Sequence, residues 1–264
     1  MQFKHATLDI DAQVATLKLD HQEVMNAVSA DMLGGLSDAL GEIESRGSDV
    51  RCVVLTGAGR AFCTGANLQN RNTGGGDAAK GAVSILETGY HPFLRRLRNL
   101  PCPLITSVNG PAAGAGMSIA LMGDIILAAK SAYFLQAFRR IGLVPDCGST
   151  WMLPRMIGKA RAVELSMLGE RLPAERALEW GLINRVVDDA DLAAETQKLA
   201  LDLANGPTVA MGHIRQLYWE SPHNSFEEQL DLEVRTQKLA RVAEDHREGV
   251  KAFLEKRPAK FTGR

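Results

Sequence analysis

Residues 102–124 read CPLITSVNGPAAGAGMSIALMGD: an apolar, β-branched run, a turn at Asn109-Gly110-Pro111, then the small residues Ala112, Ala113, Gly114, Ala115 and Gly116 entering an apolar helix. A strand, loop and helix joined in this way let a ligand touch bare backbone. With no large side chain in the way, amide N–H groups at the helix start can hydrogen-bond an oxygen whose negative charge grows during a reaction. The same small residues would also serve simple close packing of helix on strand, and this segment alone does not separate the two.

A second segment does. In RCVVLTGAGRAFCTGANL, residues 51–68, a buried-strand pattern at Val53, Val54 and Leu55 precedes two glycine turns, Gly57-Ala58-Gly59 and Gly65-Ala66. Two loops that both follow core strands could each supply one backbone donor to a single oxygen. LTGAGRAFCTGANL and SVNGPAAGAGMSIALMGD resemble, in order and spacing, the two oxyanion loops of the crotonase family, also called the enoyl-CoA hydratase/isomerase superfamily. The likeness extends over nearly the whole chain.

Composition fits a soluble globular protein. A chain of 264 residues, 45% of them hydrophobic, is long enough for one sizeable core. Thirty basic residues against 31 acidic ones leave no global field favouring nucleic acid or an anionic membrane. The first residues, MQFKHATLDIDAQVATLKLD, alternate as strands do and lack the apolar stretch of a signal peptide, so a cytoplasmic location is expected. Cys52, Cys63, Cys102 and Cys147 form no C-x-x-C pair and lie in or beside apolar runs, as reduced core residues do. The six histidines are scattered without metal-ligand spacing, so no metal site is expected.

Outward from the two loops, periodicity predicts strands at about 3–10 and 13–19, a helix over 29–45 carrying Met32, Leu36, Leu40 and Ile43, and a strand at 51–56. A helix within 81–99, strand 103–108, helix 114–121 and strand 124–128 then alternate, which favours parallel βα units in an α/β core. NRNTGGGDAAKG, residues 70–81, has the composition of a mobile segment able to close over a bound acyl chain. After about residue 203 the pattern is helical, at 207–219, 225–243 and 247–256. The resemblance implies a crotonase-like spiral of ββα units over 1–203. It also implies a helical C-terminal region, 204–264, that builds a homotrimer or a dimer of trimers.

What the resemblance implies for chemistry follows residue by residue. Family members bind acyl thioesters of coenzyme A and polarise the thioester carbonyl with two backbone N–H groups, which fall here on Ala66 and Ala115. Coenzyme A enters as part of the substrate, and no separate cofactor is expected. The hydratases of the family use two glutamates to hold and deprotonate water. Their positions are Ser118 and Phe138 here, neither of which is a carboxylate base, and a phenylalanine would dry the place of that water. Asp146, in RRIGLVPDCGSTWMLPRMIG, stands where the phenylacetate-pathway ring-epoxide isomerase branch and the dienoyl-CoA isomerases carry an aspartate. One carboxylate suffices to remove a proton beside a thioester and return it elsewhere. Asp-Cys-Gly-Ser before an apolar helix is also a good capping sequence, so base and N-cap both stand as roles for Asp146.

The remaining site expectations are more local. HQEVMNAVS, residues 21–29, matches the family's early motif and would set Val24 and Ala27 near the adenine and pantetheine, with Thr64, Gly65, Asn67 and Leu68 along the pantetheine arm. Gly114, Met117 and Phe138 would line the acyl site. Ser118 reads mainly as a helix hydroxyl bonding back to a carbonyl, free to touch a substrate polar group. Tails similar to KAFLEKRPAKFTGR reach the coenzyme phosphate, which would give Lys256 and Phe261 a binding role. Arg139 and Arg140 read as solvated surface or a subunit contact, and Trp151 as a core residue or part of an acyl tunnel. The function expected is an acyl-CoA isomerase. An enoyl-CoA hydratase and a catalytically silent acyl-CoA-binding subunit are the alternatives.

Overall fold

Alternation in the first twenty residues produces a hairpin. Strands β2 (Ala6–Asp11) and β3 (Val14–Leu19) pair antiparallel with Leu8 opposite Leu17, and the short β1 (Gln2–Phe3) lies antiparallel on the outer side of β2. The structure, a computed structural model, describes residues 1–68 and 85–264. The glycine-rich stretch 70–81 and the start of the helix expected from 81 lie outside the described residues. Helix α1 (Ala30–Ser45) carries the chain back across the hairpin, with the Ser29 side chain accepting from the Met32 N–H at 3.2 Å. Its Met32, Leu36, Leu40 and Ile43 are buried at helical spacing, which makes one apolar stripe.

Parallel strands follow. β4 (Cys52–Gly57) pairs with β3. After α2 (His91–Arg98), β5 (Leu104–Val108) pairs with β4. A short β6 (Ala112–Ala113) and α3 (Ala115–Ala120) lead to β7 (Ile125–Ala129), which pairs with β5. The chain continues through β8 (Tyr133–Leu135), α4 (Ser149–Ile157), α5 (Lys159–Leu168), β9 (Arg171–Pro173), α6 (Ala174–Glu179) and β10 (Arg185–Val187). The large sheet has the order β1-β2-β3-β4-β5-β7-β10, parallel from β3 onward, and β6, β8 and β9 form a second, three-stranded sheet.

All five residues of β5 are buried, as in a strand covered on both faces. Two hydrogen bonds identify the covers. Thr106 Oγ1 donates to Ala120 O of α3 at 2.7 Å, and Ser107 Oγ pairs at 2.8 Å with Thr196 Oγ1 of α7 (Leu192–Ala204). Adjacent strand residues point to opposite faces, so α3 and α7 sandwich the sheet.

Helices α8 (Thr208–Glu220), α9 (Phe226–Val242) and α10 (Glu244–Glu255) complete the chain. Arg215 fastens α8 to the sheet region. Buried, it donates to the carbonyls of Leu97, Arg98 and Leu100 at 3.1, 3.1 and 2.6 Å, and ion-pairs with Asp124, which also accepts the Leu104 N–H at 2.7 Å. Burial pushes the Asp124 carboxyl up, and the Arg215 guanidinium opposes that shift. The periodic reading missed β6, β8, β9 and β10. Each has two or three residues, too few for an alternation to show.

Candidate active site

The loops leaving β4 and β5 meet at the carboxyl ends of the parallel strands, the place where open α/β sheets hold ligands. Cys63 N–H donates to Pro111 O at 3.1 Å and Ala113 N–H to Cys63 O at 2.9 Å, so the two loops are laced backbone to backbone. Gly65 stands at the crossing with φ +96°, and a Cβ there would lie 2.9 Å from Ala113 O and 3.8 Å from Ala115 N. Only a residue without a side chain permits that approach. Gly114, at φ +53° and ψ −127°, then turns the chain into α3. Neither the Ala66 nor the Ala115 N–H meets a hydrogen-bond acceptor among the described residues, although Ala115 is buried. Two backbone donors left open in loops only a few ångströms apart can receive one oxygen and favour its anionic form.

Two asparagines that the sequence pattern did not single out hold this geometry. Asn26 is fully buried and donates from Nδ2 to the carbonyls of Ala58 and Ala61 at 2.9 and 2.8 Å, while its Oδ1 accepts from His21 N–H at 2.8 Å. Asn109 Oδ1 accepts the Gly57 N–H at 3.1 Å and its Nδ2 donates to Gly59 O at 2.8 Å. Together they pin the first loop from two sides. The one local signal was Asn109-Gly110, which was read as a turn only.

A third loop brings Asp146 to the same place. The Asp146 backbone carbonyl accepts from Ser118 Oγ at 3.2 Å, Ser149 Oγ at 2.9 Å and Ser149 N–H at 3.1 Å. Ser118 lies three residues beyond Ala115 on α3, about 4.5 Å of helix rise. The Asp146 turn is therefore fixed about one helical turn from the open amide. Helix α4 begins at Ser149 with Gly148 as its N-cap, so the Asp146 carboxyl lies two residues upstream of the capping position. Burial, and then the charge and a side-chain hydrogen bond of Asp146, push the adjacent Cys147 thiol up.

Comparison with known proteins matches residues 9–264 to the family model described as Enoyl-CoA hydratase/isomerase. The chain belongs to the enoyl-CoA hydratase/isomerase family. It is 47% identical over 255 residues, 97% of each chain, to the 1,2-epoxyphenylacetyl-CoA isomerase of Escherichia coli K12. It is 42% identical over 266 residues, the full length of both, to a Rhodobacter capsulatus protein named "probable enoyl-CoA hydratase". The crystal structure of an enoyl-CoA hydratase from Bacillus anthracis superposes with a TM-score of 0.91 at 29% identity, covering 98% of this chain and all of that one. The fold is thus the crotonase-like α/β spiral and the protein is an enzyme of the hydratase/isomerase family.

The early motif packs against the loop that leaves β4. Thr64 N–H donates to Met25 O at 3.2 Å, Thr64 Oγ1 contacts the same carbonyl at 3.2 Å and Val24 O at 3.4 Å, and Asn67 N–H donates to Val28 O at 2.8 Å. Val24, Ala27, Thr64, Gly65 and Asn67 therefore share one wall beside Ala66, with Leu68 exposed at its edge. Phe138 is buried, and its Cζ lies 3.8 Å from where a Gly114 Cβ would be.

The remaining side chains singled out in the sequence take the following places. Met117 and Ser118 are fully buried: Met117 Sδ accepts from Gln136 Nε2 at 3.2 Å, and Ser118 bonds to a carbonyl 28 residues away rather than within its own helix. Phe261 is remote within this chain. Its carbonyl accepts from Arg51 at 3.2 Å, at the amino end of β4, about 20 Å along the strand from the loop that leaves its carboxyl end. Lys256 is an exposed C-cap of α10 on the same tail. Arg139 donates to the carbonyls of Met167 and Leu168, and Arg140 to that of Gly169, so both arginines cap the C-terminus of α5. Trp151 stacks on Trp219 at 5.6 Å and lines a cavity of about 520 Å³ between α4 and α8 that includes none of Ala66, Ala115 and Asp146. All four cysteines are buried and reduced, with the Cys63 and Cys102 thiols pushed up to about 12 by desolvation, which makes them inert. No helix among the described residues is long and apolar enough to cross a membrane.

Proposed function

We propose that this family member isomerises acyl-CoA thioesters by moving one proton with a single carboxylate, and that a ring-epoxide phenylacetyl-CoA is its substrate. The thioester oxygen accepts from the Ala66 and Ala115 amides. Each preorganised donor is worth about 3 kcal/mol as charge develops on that oxygen. With the epoxide's shared C–C bond opened to the seven-membered oxepin ring, the Asp146 carboxylate takes a proton from the carbon beside the thioester, the two amides hold the resulting enolate, and Asp146 returns the proton to a ring carbon, so that one C–H bond breaks and one forms. Substrate and product then have the same composition. Phe138, in place of a glutamate, keeps water from adding to the intermediate.

The observation that carries this proposal is the triple hydrogen bond on the Asp146 carbonyl, which sets a carboxylate-bearing turn one helical turn from an amide that meets no acceptor among the described residues. The E. coli relative named 1,2-epoxyphenylacetyl-CoA isomerase supports the substrate class. The test is mass-resolved product analysis in heavy water with 2-enoyl-, 3-enoyl- and ring-epoxide phenylacetyl-CoA in parallel. A product of unchanged composition apart from deuterium exchange is expected from the ring-epoxide. A product heavier by one water would make the protein a hydratase, and binding without turnover of any thioester would make it a silent acyl-CoA binder. Asp146→Asn should lower turnover about 10²–10⁴-fold while leaving thioester binding nearly intact. Undiminished turnover in that variant would remove Asp146 as the base.

A further inference from the structure

The turn that carries Asp146 is unusual in both its backbone and its partners. Cys147, a non-glycine residue, has φ +53°, and Gly148 follows at φ +82°. Two consecutive residues in the left-handed region, one of them carrying a side chain, persist only where the surroundings hold them. What holds them is visible at the Asp146 carbonyl. It takes three donors: Ser149 N–H at 3.1 Å, Ser149 Oγ at 2.9 Å and Ser118 Oγ at 3.2 Å. The two from Ser149 are local, three residues away. The third comes from α3, the helix whose first amide is the open one at Ala115, and it is the bond that ties the Asp146 turn to the oxyanion loop.

We infer that Ser118 is a positioning residue for proton transfer: its hydroxyl fixes the Asp146 backbone relative to Ala115 and so sets where the Asp146 carboxylate stands over the substrate. This rests on the proposed role of Asp146 as the base. Ser118 is fully buried and its hydroxyl hydrogen is committed to the carbonyl. The serine thus has a different task from the glutamate that hydratases of the family carry at this position. There the side chain handles water, whereas here it orients another residue's carboxylate. The local pair from Ser149 can hold the turn's shape, and the bond from Ser118 relates that turn to α3. A misplacement of about 1 Å is enough to cost up to 100-fold in rate.

Four proteins test the proposal: the parent, Ser118→Ala, Asp146→Asn and the double variant, each assayed for kcat, KM and thioester binding with ring-epoxide phenylacetyl-CoA. Ser118→Ala should lower kcat about tenfold with KM and binding affinity unchanged, as expected for loss of one buried positioning hydrogen bond. On the Asp146→Asn background the same substitution should have no further effect, because Ser118 acts through that carboxylate. Should Ser118→Ala fail to fold, Ser118→Cys, which exchanges the hydroxyl for a weaker donor, is expected to lower kcat in the same sense. An unchanged kcat in both serine variants, a rise in KM alone, or an equal loss on both backgrounds would overturn the proposal. Full turnover in Asp146→Asn would instead overturn the assignment of the base, and is read separately from the serine effect.

Discussion

Helices α3 and α4 both begin on a glycine at positive φ, Gly114 and Gly148, and neither start has a capping side chain. They use their first amides in opposite ways. The Ala115 N–H of α3 meets no acceptor among the described residues, whereas the Ser149 N–H of α4 is bonded to the carbonyl of Asp146. One helix start leaves its first donor open and the other closes on its own loop. The difference lies in the glycine's ψ: −127° at Gly114 turns the following amide away from the preceding loop, and 0° at Gly148 folds it back onto that loop. A helix N-terminus is a source of donors only where the local backbone does not consume them.

Adding one methyl at each start should break this comparison. Gly114→Ala has space for the Cβ but not the conformation, since φ +53° with ψ −127° is closed to side-chain-bearing residues. The backbone must rotate and re-aim the Ala115 amide, so turnover should fall about 10²–10³-fold in steady-state kinetics. A loss below about tenfold would mean that this amide is not an oxyanion donor. Next in size is a control remote from both starts. Arg215→Ala leaves Asp124 and three buried carbonyls without their partner, and urea unfolding should show a loss of about 3 kcal/mol, with kcat of the folded protein unchanged.

Smaller effects sharpen the contrast. At Gly148, φ +82° and ψ 0° lie near the left-handed helix region, and a Cβ would meet only Met152 Cε at 3.7 Å. Gly148→Ala should therefore cost about 1–2 kcal/mol of stability and lower kcat less than about tenfold. The smallest effect lies on the tail. Hydrogen bonds from Arg257 and the Lys260 N–H hold the half-buried Glu248 carboxyl down from 4.5 to about 2. A depressed folded-state value means that this contribution is complete above about pH 4.5 and is lost as the pH falls towards 2. Hydrogen exchange at the Lys260 amide should accelerate over that window, and Glu248→Gln should remove the pH dependence.

What could be read from the residues divides along contact distance. Strands β2, β3, β4, β5 and β7 have five or six residues each, so their apolar patterns are visible, and Ser29 before Met32 marks the start of α1. The loops at Gly65-Ala66 and Gly114-Ala115 were legible because their requirement is negative: a close backbone crossing needs glycine and alanine, and both segments supply them. Bonds between distant residues were not. Ser118 was assigned a carbonyl in its own helix because a sequence displays only local partners, yet its acceptor is 28 residues on. Arg139 and Arg140 looked like surface charge until α5 presented its last carbonyls 28 to 29 residues later. Phe261, grouped with the basic tail, meets Arg51 across 210 residues. Asn26 reaches its carbonyls 32 and 35 residues away, and nothing in MNAV announces them.

The order of the large sheet has a consequence for how the protein is made. From β1 to β10, with only β6, β8 and β9 diverted to the small sheet, spatial order equals chain order. Each strand leaving the ribosome finds its neighbour already in place, and no later strand has to insert between two earlier ones. The sheet can therefore grow from one edge as synthesis proceeds, which spares a parallel architecture much of the search that non-local pairing imposes. Arg215 arrives only after β10, so the clasp on Asp124 closes over a sheet that is already complete.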